Sequence, residues 1–161
     1  MRIDLSASQI AKACLQGGAK LIQLRDKKSN RETLIQSAKK IQELKRDFNF
    51  TFIINDDPIL AKEINADGVH VGQADMSVHE ARKVLGPDKI IGLSSHSLEE
   101  AVQGTKQPID YLAVGAIFPT KTKPADHPVV GLELLRQVRD LTDKPLVAIG
   151  GITLENDWTA Q

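Results

Sequence analysis

The chain has 161 residues, of which 41% are hydrophobic and 26% charged, enough to bury a core and ordinary for a globular protein. Its 21 basic and 21 acidic side chains cancel, which removes the electrostatic reason to expect nucleic acid or an anionic membrane as partner. The single cysteine, Cys14, excludes an internal disulfide and a cysteine metal cluster, and its Ala/Leu surroundings predict a small buried hydrophobe.

Short apolar runs and longer stretches of helical spacing alternate along the chain. Gly17-Gly18 marks the exit of a first helix, and an apolar run follows at 20–24. Helical spacing over 29–46 places Leu34, Ile35, Ala38, Ile41 and Leu44 on one face, with a capping box at Ser29 and Glu32. The next run, 50–54, leads into Asp57-Pro58, a cap residue followed by proline at the first helical position. After the run at 68–71, Ser77 and Glu80 open a helix that Gly86 closes. The run at 89–93 precedes a third box at Ser97 and Glu100, and two further runs follow at 111–114 and 145–149. No apolar run approaches the length of a membrane span, and the N-terminus lacks a signal-peptide core. The expectation is a reduced, cytoplasmic protein with one domain over 1–161.

Strands alternating with helices read as βα units of a parallel sheet, and continuously apolar strands imply that both sheet faces are covered. Either a doubly wound sheet or a (β/α) barrel fits. No Gly-x-Gly-x-x-Gly follows the opening strand, so the barrel is preferred.

In such folds chemistry collects at the carboxyl ends of strands. Here those ends read Gln23-Leu24-Arg25-Asp26-Lys27, Asn55-Asp56-Asp57, Gly72-Gln73-Ala74-Asp75, Ser94-Ser95-His96-Ser97, Thr120-Lys121-Thr122-Lys123 and Gly150-Gly151. Taken singly, Asp57 and Ser97 are explained as helix caps, and a loop lysine as a solvated charge. Taken together, Asp56 and Asp75 offer oxygens to one hard cation such as Mg2+, which takes one or two carboxylates and fills its other positions with water and phosphate. Arg25, Lys27 and Lys123 would neutralise a polyanion, Ser94, Thr120 and Thr122 supply hydroxyls, and Gly150-Gly151 offer backbone amides to a phosphate. No Ser/His/Asp or Cys/His constellation accompanies them.

The segments QLRDK, IINDD, ADGVHVGQADM, GPDKIIGLSSHS, DYLAVGAIFPTKTKP and LVAIGGIT, in that order over 18–156, resemble the thiamine phosphate synthase family. The resemblance implies a (β/α)8 TIM-barrel fold. It also implies a transferase that condenses hydroxymethylpyrimidine pyrophosphate with thiazole phosphate, giving thiamine phosphate and pyrophosphate. It assigns Gln23, Arg25, Lys27 and Asn55 to the pyrimidine pyrophosphate, and Asp56 and Asp75 to Mg2+. Ser94 and Lys123 fall to the departing pyrophosphate, Thr120 and Thr122 to the loop around the thiazole substrate, and Gly151 to the thiazole phosphate.

Against that pattern the barrel is expected to be incomplete, with its first and eighth strands missing or vestigial. The exposed edges this leaves would invite pairing with another chain as a homo-oligomer. A barrel fragment that binds a phosphorylated ligand without catalysis is the alternative. A thiazole tautomerase paralogue fits less well, because Ala116 stands where that enzyme's histidine is expected and both aspartates are kept. Two departures stand out: Asp57 where relatives usually carry arginine, and Ala116 where proline is common. The first adds a negative charge beside the pyrophosphate residues.

Overall fold

In a computed structural model, which describes residues 5–120 and 128–156, the chain alternates strand and helix and divides into two compact units. The first comprises residues up to 70 together with 80–90, and the second comprises 71–79 and the residues from 91 on.

The first unit opens with α1 (Ala7–Gln16), a helix the sequence marks only at its exit. Its start is a capping box in which Ser6 Oγ accepts the Gln9 amide and Gln9 Oε1 accepts the Ser6 amide. Cys14 is exposed on this helix, which corrects the expectation of a buried thiol: Ala11 and Leu15 form the buried stripe instead. β1 (Leu21–Leu24), β2 (Thr51–Asn55) and β3 (Gly68–Val71) run parallel, with Leu24 opposite Ile54 and Asn55 opposite His70. Between β1 and β2 lies α2 (Arg31–Glu43), continued by one 3₁₀ turn to Arg46. Its cap is Asn30, whose side chain accepts the Thr33 amide, rather than Ser29 as the spacing suggested. Ser29 is held elsewhere, its hydroxyl donating to Asp26 Oδ2 at 2.6 Å. α3 (Pro58–Glu63) starts as expected, with Asp57 Oδ1 accepting the Leu60 amide and proline in the first turn.

The second unit carries β4 (Ile90–Ser95) from its second residue on, then β5 (Tyr111–Gly115) and β6 (Leu146–Ile149), again parallel. α5 (Leu98–Thr105) and α6 (Gly131–Leu141) pack against β5 and each other. Ser97 Oγ caps α5 by accepting the Glu100 amide. The Glu100 carboxylate does not close the expected box onto Ser97; it accepts the amide of His96 instead. α4 (Val78–Leu85), which belongs to the first unit from Glu80 on, ends at Gly86, whose φ of 85° is the left-handed exit the sequence anticipated.

Burial follows the strands. Phe52, Ile53 and Ile54 of β2 are almost wholly buried, as are Val69, Leu112 and Val114, and each such side chain contributes about 1.5–3 kcal/mol of transfer free energy. β2 to β5 match the expectation of covered faces. β1 and β6 do not: Leu21 is 48% exposed and Val147 and Ile149 about 40%. No described helix is long and apolar enough to cross a membrane.

Candidate functional site at the strand ends

In the first unit, five of the expected residues lie within or just past the carboxyl ends of β1 and β2. Gln23 is half-buried within β1, and Arg25 and Lys27 are exposed in the loop beyond it. That loop is closed by Asp26, whose Oδ1 accepts the amides of Lys28 and Ser29. The Ser29 hydroxyl and these two amides hold the Asp26 carboxyl below its ordinary range. The loop is thereby fixed in a conformation that leaves the two cationic side chains facing solvent.

Asn55 closes β2, and the chain then turns through Asp56 with a φ of 66°, a left-handed conformation that aspartate tolerates better than most residues. The Asp56 amide donates to the His70 carbonyl at 2.8 Å, which pins the turn to β3. Lys27 Nζ lies 3.1 Å from Asp56 Oδ2, so a cation from one strand end meets a carboxylate from the next. His70 is 5% exposed inside β3.

Asp57 has a partner that the sequence did not reveal. Its Oδ2 takes the Arg31 guanidinium at 2.6 Å while its Oδ1 caps α3. The additional negative charge at this position is therefore neutralised locally.

The second unit holds Asp75, Ser94, Thr120 and Gly151. Asp75 Oδ2 accepts the Gly72 amide at 2.7 Å, and the Asp75 amide returns to the Gly72 carbonyl. A Cβ on Gly72 would lie 3.1 Å from that carboxylate, so a side chain there would crowd the closed turn. Gln73, a strand-end residue to which its type assigns no role, donates through Nε2 to the Ser94 carbonyl at 2.7 Å and ties this turn to the end of β4. Beside it, His96 Nδ1 and its amide both meet Glu100 Oε2. Gln73 gave no signal in sequence because a positioning amide has no characteristic spacing.

Beyond β5 and β6 the two loop backbones run together: the Ile117 amide donates to Ile149 and the Phe118 amide to Gly150. Gly151 has a φ of 68°, and a Cβ on it would meet the carbonyl oxygens of Pro119 and Phe118 at 2.5 and 2.6 Å. Only glycine fits there. Asn156 fastens the following turn, donating to the Gly151 carbonyl and accepting the Thr153 amide. Thr120 is half-buried at the end of this loop. Thr122 and Lys123 lie outside the described residues.

The donor chemistry suits magnesium. Among the described residues no three His, Cys, Asp or Glu side chains gather to hold an ion. Asp56 and Asp75 each present hard carboxylate oxygens, and Mg2+ is content with one or two of these beside water and phosphate.

A parallel α/β frame with its charges, hydroxyls and tight glycine turns past the carboxyl ends of strands belongs to the enzymes that work at such ends. Known proteins narrow this further. The family model described as thiamine monophosphate synthase matches residues 3–160. A thiamine-phosphate synthase of Shouchella clausii is 43% identical over 148 residues, 92% of this chain and 71% of that one. The thiamine biosynthesis bifunctional protein ThiED of Geobacter sulfurreducens is 44% identical over 89% of this chain and 29% of its own length. A solved thiamine phosphate pyrophosphorylase from Pyrococcus furiosus superposes with a TM-score of 0.87 at 36% identity, covering 99% of this chain and 75% of that one. The chain belongs to the thiamine monophosphate synthase family, and it is an enzyme of thiamine biosynthesis, a transferase.

Proposed function

We propose that the strand-end residues carry a magnesium-assisted condensation of hydroxymethylpyrimidine pyrophosphate with thiazole phosphate on a (β/α)8 TIM-barrel frame, in the cytoplasm. The observation that carries this reading is the Lys27–Asp56 pair at 3.1 Å, a cation and a carboxylate presented together past the ends of β1 and β2. Such a pair serves a ligand that needs both a positive side chain and a metal-bound anion.

Gln23 and Asn55 hold the pyrimidine, and Arg25 and Lys27 take charge from its pyrophosphate. Asp56 and Asp75 would hold Mg2+, and the ion would supply further neutralisation of the pyrophosphate. As the C–O bond breaks, its electron pair leaves with pyrophosphate and the pyrimidine methyl carbon becomes cationic, stabilised by the ring's amino group. Ser94 and Lys123 contact the departing group. The thiazole nitrogen lone pair then forms the new C–N bond, with the thiazole phosphate on the Gly151 amide and Thr120 and Thr122 lining the loop around it. No protein nucleophile is required, so catalysis comes from positioned charge and orientation.

The test is thiamine phosphate formation by the purified chain given both substrates, with and without magnesium. Magnesium-dependent product is expected. No product, with the chain folded and pyrophosphate still bound, would overturn catalysis and leave a ligand-binding fragment.

A further inference from the structure

The opposite ends of the same strands hold a second feature. In the first unit, the residues just before or at the starts of β1, β2, β3 and β4 surround a cavity of about 620 Å³, within the range of small-molecule sites. Its wall carries three lysines, Lys20, Lys45 and Lys89, against two carboxylates, Asp67 and Asp88.

The charges are not evenly matched. Asp67 is already taken: its Oδ2 accepts the Phe52 amide at 2.6 Å and pairs with the Lys45 ammonium, which also lies 5.6 Å from the centre of the Phe50 ring. Lys89 donates to two neutral oxygens, Asn65 Oδ1 and the Ala66 carbonyl, each at 2.7 Å, so its charge has no counterion there. Asn65 reaches it from a left-handed turn with a φ of 53°. Arg82 fixes the loop behind Lys89 by donating to the carbonyls of Gly86, Pro87 and Lys89. Lys20 is exposed and makes no ion pair among the described residues. With Lys45 and Asp67 neutralising one another, Lys20 and Lys89 outweigh Asp88.

We propose that this cavity binds a phosphate dianion, free or as the terminal group of a small phosphate monoester. Lys20 and Lys89 are its cationic contacts and the Thr51 hydroxyl a further donor. The ammonium groups suit it as compact point charges that do not demand bidentate geometry. The site is separate from the strand-end residues, because Thr51 and Asn55 stand at opposite ends of β2, roughly 13 Å apart at strand rise. It does not depend on the reaction proposed above.

The experiment is an amide NMR titration of the full chain, labelled with nitrogen-15 and free of magnesium. One arm uses inorganic phosphate and the other a pentose phosphate, to separate the free ion from an ester. Saturable shifts are expected at Lys20, Thr51, Lys89 and Ile90. Their apparent Kd should weaken by at least about threefold in Lys20→Gln, which removes one charge from an exposed side chain. Lys89→Gln should weaken it further. The double variant Arg25→Gln/Lys27→Gln should leave these shifts intact. Absence of saturable shifts at the four positions in both arms, or an unchanged Kd in both lysine variants, would overturn the proposal. So would loss of the shifts in the double variant.

Discussion

In the first unit the strand ends are furnished with charged side chains: Arg25, Lys27 and Asp56 stand on loops fixed by Asp26 and by the left-handed turn at Asp56. In the second unit the corresponding positions depend mainly on backbone: the Gly72–Asp75 turn, the Gln73 bond to Ser94 and the Gly151 turn against Pro119. Side chains that supply charge tolerate small displacements, because Coulomb attraction falls slowly with distance. Backbone amides that grip a phosphate do not, since hydrogen bonding fails within a few tenths of an ångström and a few tens of degrees. The difference predicts that substitutions in the first unit act through charge and in the second through shape.

The largest effect tests the exception in the second unit, the Asp75 carboxylate. Asp75→Asn keeps an oxygen for the Gly72 amide but removes the charge, and turnover should fall by at least about 10²-fold. Steady-state rates across a magnesium titration decide it. A turnover unchanged at saturating magnesium would remove Asp75 from the proposed metal site.

Gly151→Ala should come next and act by shape alone. The new Cβ meets two carbonyl oxygens, and the positive φ adds strain of about 1–3 kcal/mol. The expected outcome is roughly a tenfold rise in KM for thiazole phosphate, with the Kd for pyrophosphate little changed. Equal damage to both would show that the turn serves the whole second unit rather than one phosphate.

In the first unit, Asp57→Ala removes a helix cap and the partner of Arg31. A loss of about 1 kcal/mol in urea denaturation is expected, with Asp57→Asn losing much less because asparagine also caps. An equal loss in both variants would assign the effect to the ion pair. The smallest effect belongs to Ser29→Ala, which removes one of the hydrogen bonds that depress the Asp26 carboxyl. A carboxyl lowered on folding adds stability above its unfolded pKa and loses it as pH falls through the folded value. The variant should therefore titrate Asp26 closer to the ordinary carboxylate range by NMR and lose less stability on acidification. An unmoved titration would place the cause in the Lys28 and Ser29 amides instead.

Much of the frame was legible because apolar runs bounded by caps and glycines report the strands locally. The runs at 50–54 and 111–114 lie within a residue of the observed β2 and β5. Misreadings arose where two residues compete for one role. Ser29 and Asn30 both suit a cap, and the choice depends on Asp26 capturing the Ser29 hydroxyl. Cys14 looked apolar by its neighbours, yet the buried face of α1 is chosen by Ala11 and Leu15. At the candidate site, charged residues announced themselves by type. Gln73, and Arg31 as the partner of Asp57, did not, because both act through contacts between residues distant in sequence or without a motif.

The Arg31–Asp57 pair also constrains how this loop can change over generations. An arginine at position 57 would face the Arg31 guanidinium and forfeit the cap, while an aspartate there without Arg31 would stand uncompensated next to Asp56. Reversing either charge alone sets like charges against one another, whereas a neutral cap such as asparagine at 57 would pass with little loss. Positions 31 and 57 are thus expected to covary across descendants, as one inherited character written in two codons.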